Sequence, residues 1–183
     1  MFEDLLEEAH KERIEVISIP LKGRLKGLYY EKTIAINKNI ISTAEKTCIL
    51  AEELGHYYTT VGNILDQKKI QNRKLERQAR AWAYEKLVPL DKLVEAYKAG
   101  VKNRFELAEF LHVSEEFLEA AIKHYKEKHG LYCHVGRYYI SFEPLRIMKR
   151  IIKKTKHRIA RTGDFSVYRG KSTKTDKAFE KGG

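Results

Sequence analysis

The stretch ISTAEKTCILAEELGHYYTT, residues 41–60, decides how this chain is interpreted. Ser42 followed three residues later by Glu45 forms a capping box, which predicts that a helix begins here. Apolar residues at positions 44, 48, 49 and 51 predict one buried stripe along that helix. The first half of the stretch is therefore an ordinary core helix, and the question is what its second half does.

The second half of this helix carries Glu52, Glu53 and His56. Residues four positions apart lie on the same face of a helix, so Glu52 and His56 can bind one ion together. Glu53 is turned about 100° from Glu52, which places it beside such an ion, where a base acting on an activated water molecule belongs. Glu/His pairs at this spacing are also common as plain surface contacts, and the residues alone leave both interpretations open.

A third ligand is available on the next predicted helix, residues 68–88, which Pro89 ends. Glu76 follows His56 by 20 residues, and a short connection would let the two helices pack antiparallel with Glu76 facing the first pair. A catalytic zinc ion keeps three protein ligands and one open position, and Glu52, His56 and Glu76 would supply the three.

The remaining segments predict a mainly helical α+β fold. A short helix at residues 3–11, a strand at 14–21 and a hairpin at 27–39 indicate a small N-terminal antiparallel sheet. A helix closed by Gly100, a helical pair at 103–129 and a hairpin at 131–142 follow. The pattern weakens from Pro144, so we predict one domain at 1–148 and a basic, flexible tail at 149–183.

Composition narrows the class of protein. Of the 183 residues, 43% are hydrophobic and 33% charged, as in a globular protein, and no apolar run approaches the ~20 residues of a membrane span. The acidic N-terminus lacks the apolar core of a signal peptide, so we expect a cytoplasmic protein without membrane contact. Cys48 and Cys133 lack metal-site spacing and are expected to be small buried hydrophobes.

The net charge of +11 is concentrated in the predicted tail. Residues 149–183 hold 12 of the 36 Lys and Arg residues but only 3 of the 25 Asp and Glu residues. Such a tail can bind nucleic acid by releasing counterions, but a solvated charged end is the favoured interpretation.

The helical pair at 103–129 also resembles a helix-turn-helix, which keeps a DNA-binding regulator as an alternative. The second helix would begin with Glu115 and Glu116, which phosphates repel, so a packing role is favoured. The histidines outside the predicted site, at positions 10, 112, 124, 129, 134 and 157, are expected to be surface or packing residues.

The two motifs together resemble the ImmA/IrrE family of metallo-endopeptidases of phages and integrative elements. The resemblance rests on LAEELGHYYTT at 50–60 and LERQARAWAYEKLVPLDKL at 75–93, and it extends over roughly residues 3–148. The family pattern is a His-Glu-x-x-His helix followed by a glutamate in a Glu-x-x-Ala-x-x-aromatic-Ala helix ending near a proline. The resemblance implies a zincin-like domain.

The resemblance also assigns roles to residues of this chain. His56 and Glu76 match the second and third metal ligands, and Glu53 matches the general base. Glu52 stands where the family has its first histidine. Tyr57 and Tyr58 are candidates for oxyanion or substrate contacts, although packing is the commoner use of aromatic residues there.

The implied function is cleavage of a phage or mobile-element repressor by a metal-dependent endopeptidase. The implied cofactor is one divalent ion, in first place zinc, with manganese as the alternative because two carboxylates make a harder ligand set. Replacement of the first histidine also leaves open an impaired anti-repressor that binds the repressor without cutting it.

Overall fold

The computed structural model describes residues 1–60 and 69–150. These residues form six helices and six strands, which confirms the predicted mainly helical α+β class. In chain order the elements are α1 (Phe2–Lys11), β1 (Glu15–Ile19), β2 (Gly27–Tyr30), β3 (Thr33–Asn37), α2 (Thr43–Thr60), α3 (Lys69–Leu87), α4 (Leu90–Lys98), α5 (Arg104–Leu111), α6 (Glu115–His129), β4 (Tyr132–Val135), β5 (Tyr138–Phe142) and β6 (Leu145–Lys149). The part of the predicted tail from residue 151 onward, including His157, lies outside the described residues, and the division into domain and tail stays a prediction.

The N-terminal sheet has the strand order β1-β3-β2. β2 and β3 form the predicted hairpin, and both turn residues, Glu31 and Lys32, have positive φ, as the tight turn requires. β1, however, pairs parallel to β3, so the sheet is mixed rather than antiparallel throughout. β2 pairs with one edge of β3, and β1 pairs with the other edge. Residues 20–32 connect β1 to β3 and form the crossover that two parallel strands need.

α2 is the central helix of the core. The backbone N–H of Glu45 donates to the Ser42 hydroxyl at 3.3 Å, which confirms the predicted helix start. Leu50, Ala51 and Leu54 are fully buried, and α2 packs against α1, α3 and the strands β2 and β3. α3 buries small side chains against α2, and no membrane-spanning candidate is found among the helices of the described residues.

The predicted helical pair is present as α5 and α6. Asn103 and Ser114 cap the two helices with their side chains, and His112 takes the left-handed conformation in the turn between them. α6 packs against α3, and the Tyr125 hydroxyl donates to the Val88 carbonyl at 2.9 Å. α6 therefore braces the helix that carries Glu76, and α5 packs on α6.

The C-terminal sheet has the order β4-β5-β6. The predicted hairpin is β4 and β5, with Gly136 at positive φ in its turn. β6 adds a third antiparallel strand that the weak pattern after Pro144 did not indicate. Cys48 is buried and Cys133 is half-buried, and both are free thiols.

Candidate metal centre

The structure brings together two of the three predicted ligands from different helices. His56 Nε2 lies 3.3 Å from Glu76 Oε2. His56 is 26% exposed and Glu76 is 43% exposed, so the pair lies at the surface end of the α2–α3 contact. Glu52 is half-buried on α2, one turn before His56 on the same side of the helix.

A close backbone approach fixes this pairing. A Cβ atom on Gly55 would lie 2.3 Å from the Ala79 carbonyl oxygen, a distance that no side chain can occupy. Glycine at position 55 therefore lets α3 reach the surface of α2 just beside His56. Glu76 lies three residues before Ala79 on α3, so the same contact carries it to the imidazole.

Arg80 holds the other oxygen of the Glu76 carboxylate. Its Nη2 atom lies 2.8 Å from Glu76 Oε1, one helical turn away along α3. Glu76 is thus held between His56 on one side and Arg80 on the other.

Glu53 lies under the edge strand of the N-terminal sheet. The backbone N–H of Tyr29 in β2 donates a hydrogen bond to its carboxylate. Gly27, two residues earlier, leaves room for that carboxylate, since a Cβ there would lie 2.7 Å from Glu53 Oε1. The hairpin therefore covers and orients the predicted base.

The electrostatics of the site favour a cation. Burial, followed by the neighbouring Glu52 carboxylate, raises the pKa of Glu53 to about 7, while the hydrogen bond from Tyr29 opposes the shift. Burial also raises the pKa of Glu52, against the attraction of Arg80 and with the repulsion of Glu76. Carboxylates that repel one another in a half-buried place are stabilised in the charged form by a bound cation.

The His56 imidazole is held in the form that ligates metals. Burial lowers its pKa, with the Glu76 carboxylate opposing the shift and Arg80 supporting it. A neutral imidazole has a lone pair available for coordination, whereas the protonated ring has none.

The donor types fit a divalent metal ion, although the ligands do not form a closed cluster. No group of three or more His, Cys, Asp or Glu side chains within residues 1–60 and 69–150 is gathered closely enough to hold a metal. The contact of His56 with Glu76 brings two donors together. The predicted third ligand, Glu52, lies one turn before His56 on the same side of α2. One imidazole nitrogen and two carboxylates are a ligand set that zinc or manganese accepts.

Tyr57 and Tyr58 are engaged with α1. The Tyr57 hydroxyl donates to Glu12 at 2.8 Å, and the Tyr58 hydroxyl donates to Glu8 at 3.2 Å. The Tyr58 ring packs on Trp82, with ring centroids 4.9 Å apart. These contacts support a packing role, and the predicted oxyanion or substrate contact stays a prediction.

Arg80 and Tyr29 are two residues of the site that were not predicted from the sequence. Arg80 could have been predicted, because it follows Glu76 at the four-residue spacing of a helical ion pair. No sequence pattern predicts Tyr29, since it acts through its backbone N–H and contacts Glu53 only through tertiary packing.

Two of the other described histidines, His124 and His129, have partners outside this site. His124 Nε2 lies 3.0 Å from Glu85 Oε1, and His129 stacks on Tyr125.

Two surface clefts of about 480 and 600 Å³ lie outside the candidate site, one beside the start of α1 and one between α4, α5 and β6. Neither cleft is lined by the predicted ligands.

A comparison with known protein families shows which family the chain belongs to. The family model described as the IrrE N-terminal-like domain, of the M78 peptidases, matches residues 9–123. The chain belongs to this family. The matched region of this M78 peptidase-family protein contains Glu52, Glu53, His56 and Glu76 on its two helices, and the family is one of metallopeptidases. No curated protein and no solved structure matches the chain significantly.

Proposed function

We propose that this protein is a metal-dependent endopeptidase that cleaves the repressor protein of a phage or mobile element and so relieves repression. The observation that carries the proposal is the 3.3 Å approach of His56 on α2 to Glu76 on α3, beside the half-buried Glu53. Membership of a metallopeptidase family supports the reaction class. The choice of a repressor as the substrate rests on the resemblance to the ImmA/IrrE proteins.

In this proposal Glu52, His56 and Glu76 hold one divalent ion, in first place zinc. A bound ion of this kind polarises the scissile carbonyl and makes a water molecule more acidic. Glu53 accepts the proton of the attacking water on its carboxylate and delivers it to the nitrogen of the leaving amine. The hydrogen bond from Tyr29 orients the carboxylate for both transfers.

The raised pKa of Glu53 is consistent with this role. A general base works best when its pKa lies near the working pH, and in the metal-free protein burial and Glu52 bring it to about 7. An exposed carboxylate with an ordinary pKa would be a much weaker proton acceptor at neutral pH.

The test is co-expression with the repressor protein of the phage or mobile element that encodes the chain, followed by mass spectrometry of the repressor fragments. We compare the wild type with Glu53→Gln, which keeps the shape of the side chain and removes its basicity. Glu127→Gln is the matched control, because Glu127 is exposed on α6 and makes no ion pair among the described residues. Cleavage by the wild type and the control, and none by Glu53→Gln, is the expected result.

Two other outcomes contradict parts of the proposal. Cleavage that persists in Glu53→Gln would show that Glu53 is not the base. A stable complex of the wild type with an intact repressor would favour the anti-repressor that binds without cutting.

A further inference from the structure

Arg80 is a positively charged side chain that forms an ion pair with a carboxylate of this site. Its Nη2 atom lies 2.8 Å from Glu76 Oε1, while the other oxygen of the same carboxylate lies 3.3 Å from His56 Nε2. Arg80 is therefore separated from the predicted metal position by a single carboxylate.

The site contains more negative charge than a common zinc centre. Three carboxylates, Glu52, Glu53 and Glu76, lie close enough to act on one another, and Glu76 contacts the one imidazole, that of His56. A His₂Glu ligand set has a formal charge of −1, whereas the set of Glu52, His56 and Glu76 has −2. One positive charge nearby brings the total back to −1.

Arg80 is the described cation best placed to supply that charge. It is the positive group that acts most strongly on Glu52, and it is in direct contact with Glu76. Lys26, the other cation that acts on Glu52, is already paired with Glu45 at 2.8 Å.

We propose that Arg80 is the built-in counter-charge of the site, whose positive charge offsets the carboxylate of Glu52. The inference rests on the metal centre of the proposed function. It goes beyond that function because it predicts that Glu52 and Arg80 are energetically coupled. The destabilisation caused by replacing Arg80 should then be larger when Glu52 is present than when Glu52 is replaced.

The competing explanation is an ordinary surface ion pair. Arg80 is 51% exposed and pairs with Glu76 at the i, i+4 spacing, where such pairs contribute little. In that case Arg80 would be coupled to Glu76 alone, and its replacement would have the same effect whatever residue stands at position 52.

The deciding experiment is a double-mutant cycle on the full chain without metal, in chelator. Thermal midpoints are measured for the wild type, Glu52→Gln, Arg80→Gln and the double variant. We expect Arg80→Gln to lower the midpoint by roughly 2 °C more in the wild type than in the Glu52→Gln background. Additive effects would overturn the inference.

Two further variants serve as controls. Arg80→Lys keeps the charge and should retain most of the coupling to Glu52. Lys92→Gln breaks the exposed 2.6 Å pair of Lys92 with Glu95, which is remote from the site in sequence and lies on α4. Its effect should be additive with Glu52→Gln.

Zinc affinity, measured by competition with a chromogenic chelator, gives a second readout. Removal of a positive charge beside a cation site should tighten zinc binding in Arg80→Gln, by roughly fivefold. Unchanged or weaker binding would overturn the counter-charge role. A wild type that binds no zinc would contradict the proposed function, while the metal-free cycle would still decide the role of Arg80.

Discussion

Gly55 and Ala79 mark the point where the two site helices touch backbone to backbone. A Cβ on Gly55 would lie 2.3 Å from the Ala79 carbonyl oxygen, which is less than any real contact of that kind. The glycine costs about 1 kcal/mol of helix stability relative to alanine. The close approach that it permits is what lets Glu76 of α3 meet His56 of α2.

We therefore expect Gly55→Ala to destabilise the protein by about 1–2 kcal/mol, although alanine is the better helix former. The clash is with a backbone atom, so no change of side-chain rotamer relieves it. Urea denaturation followed by circular dichroism measures the change. An unchanged or higher urea midpoint would mean that the two helices are further apart.

Gly27→Ala should impair catalysis more than stability. The new Cβ would lie 2.5 Å from Ile49 Cγ2 and 2.7 Å from Glu53 Oε1, so the carboxylate must move away from its position under β2. A displacement of this size should lower kcat by roughly tenfold or more. Steady-state cleavage of the repressor and a thermal melt of the same samples separate the two effects, and a fall in stability with unchanged kcat would contradict the prediction.

Glu53→Gln should stabilise the metal-free protein above neutral pH. Burial and Glu52 raise the pKa of Glu53 from 4.5 in the unfolded chain to about 7 in the folded protein. The contribution of Glu53 to stability is therefore complete below pH 4.5 and is lost as the pH rises to about 7.

Glutamine does not titrate, so the variant should match the wild type at pH 4.5 and exceed it at pH 8 by on the order of 1–3 kcal/mol. Chemical denaturation in chelator at both pH values measures the difference. Glu127→Gln is the control and should show no gain. Equal stability of the wild type and Glu53→Gln at pH 8 would show that the pKa of Glu53 is not raised in the folded protein.

Tyr57→Phe should reduce stability and leave the cleavage rate nearly unchanged. The substitution removes a hydroxyl that donates to Glu12 at 2.8 Å and accepts from Lys32 at 3.1 Å, a loss of about 0.5–1.5 kcal/mol. Thermal melts and kcat are compared with those of the wild type. A fall in kcat of about 100-fold or more at unchanged stability would instead support contact with the oxyanion.

Each predicted ligand should be required for full metal occupancy. We expect Glu52→Ala, His56→Ala and Glu76→Ala all to lower the metal content of the purified protein. Inductively coupled plasma mass spectrometry measures that content, and His124→Ala is the control because His124 pairs with Glu85 away from the site. Unchanged metal content in Glu52→Ala would show that Glu52 is not a ligand.

Some features of the fold and of the site could be predicted because they depend on local interactions. The start of α2 follows from Ser42 and Glu45, and the two hairpins follow from their turn residues, because capping and tight turns depend on residues a few positions apart. The shared helical face of Glu52 and His56 likewise follows from their spacing alone. These interactions are short in sequence, so the pattern of residues suffices to predict them.

Tertiary packing decided the rest. The contact between His56 and Glu76 depends on the Gly55–Ala79 approach, and the cover over Glu53 depends on β2, which precedes it in the chain by more than 20 residues. The parallel pairing of β1 depends on which edge of β3 is left open by β2. Each of these contacts joins distant segments whose meeting is set by how the whole core fills its space, which no local pattern encodes.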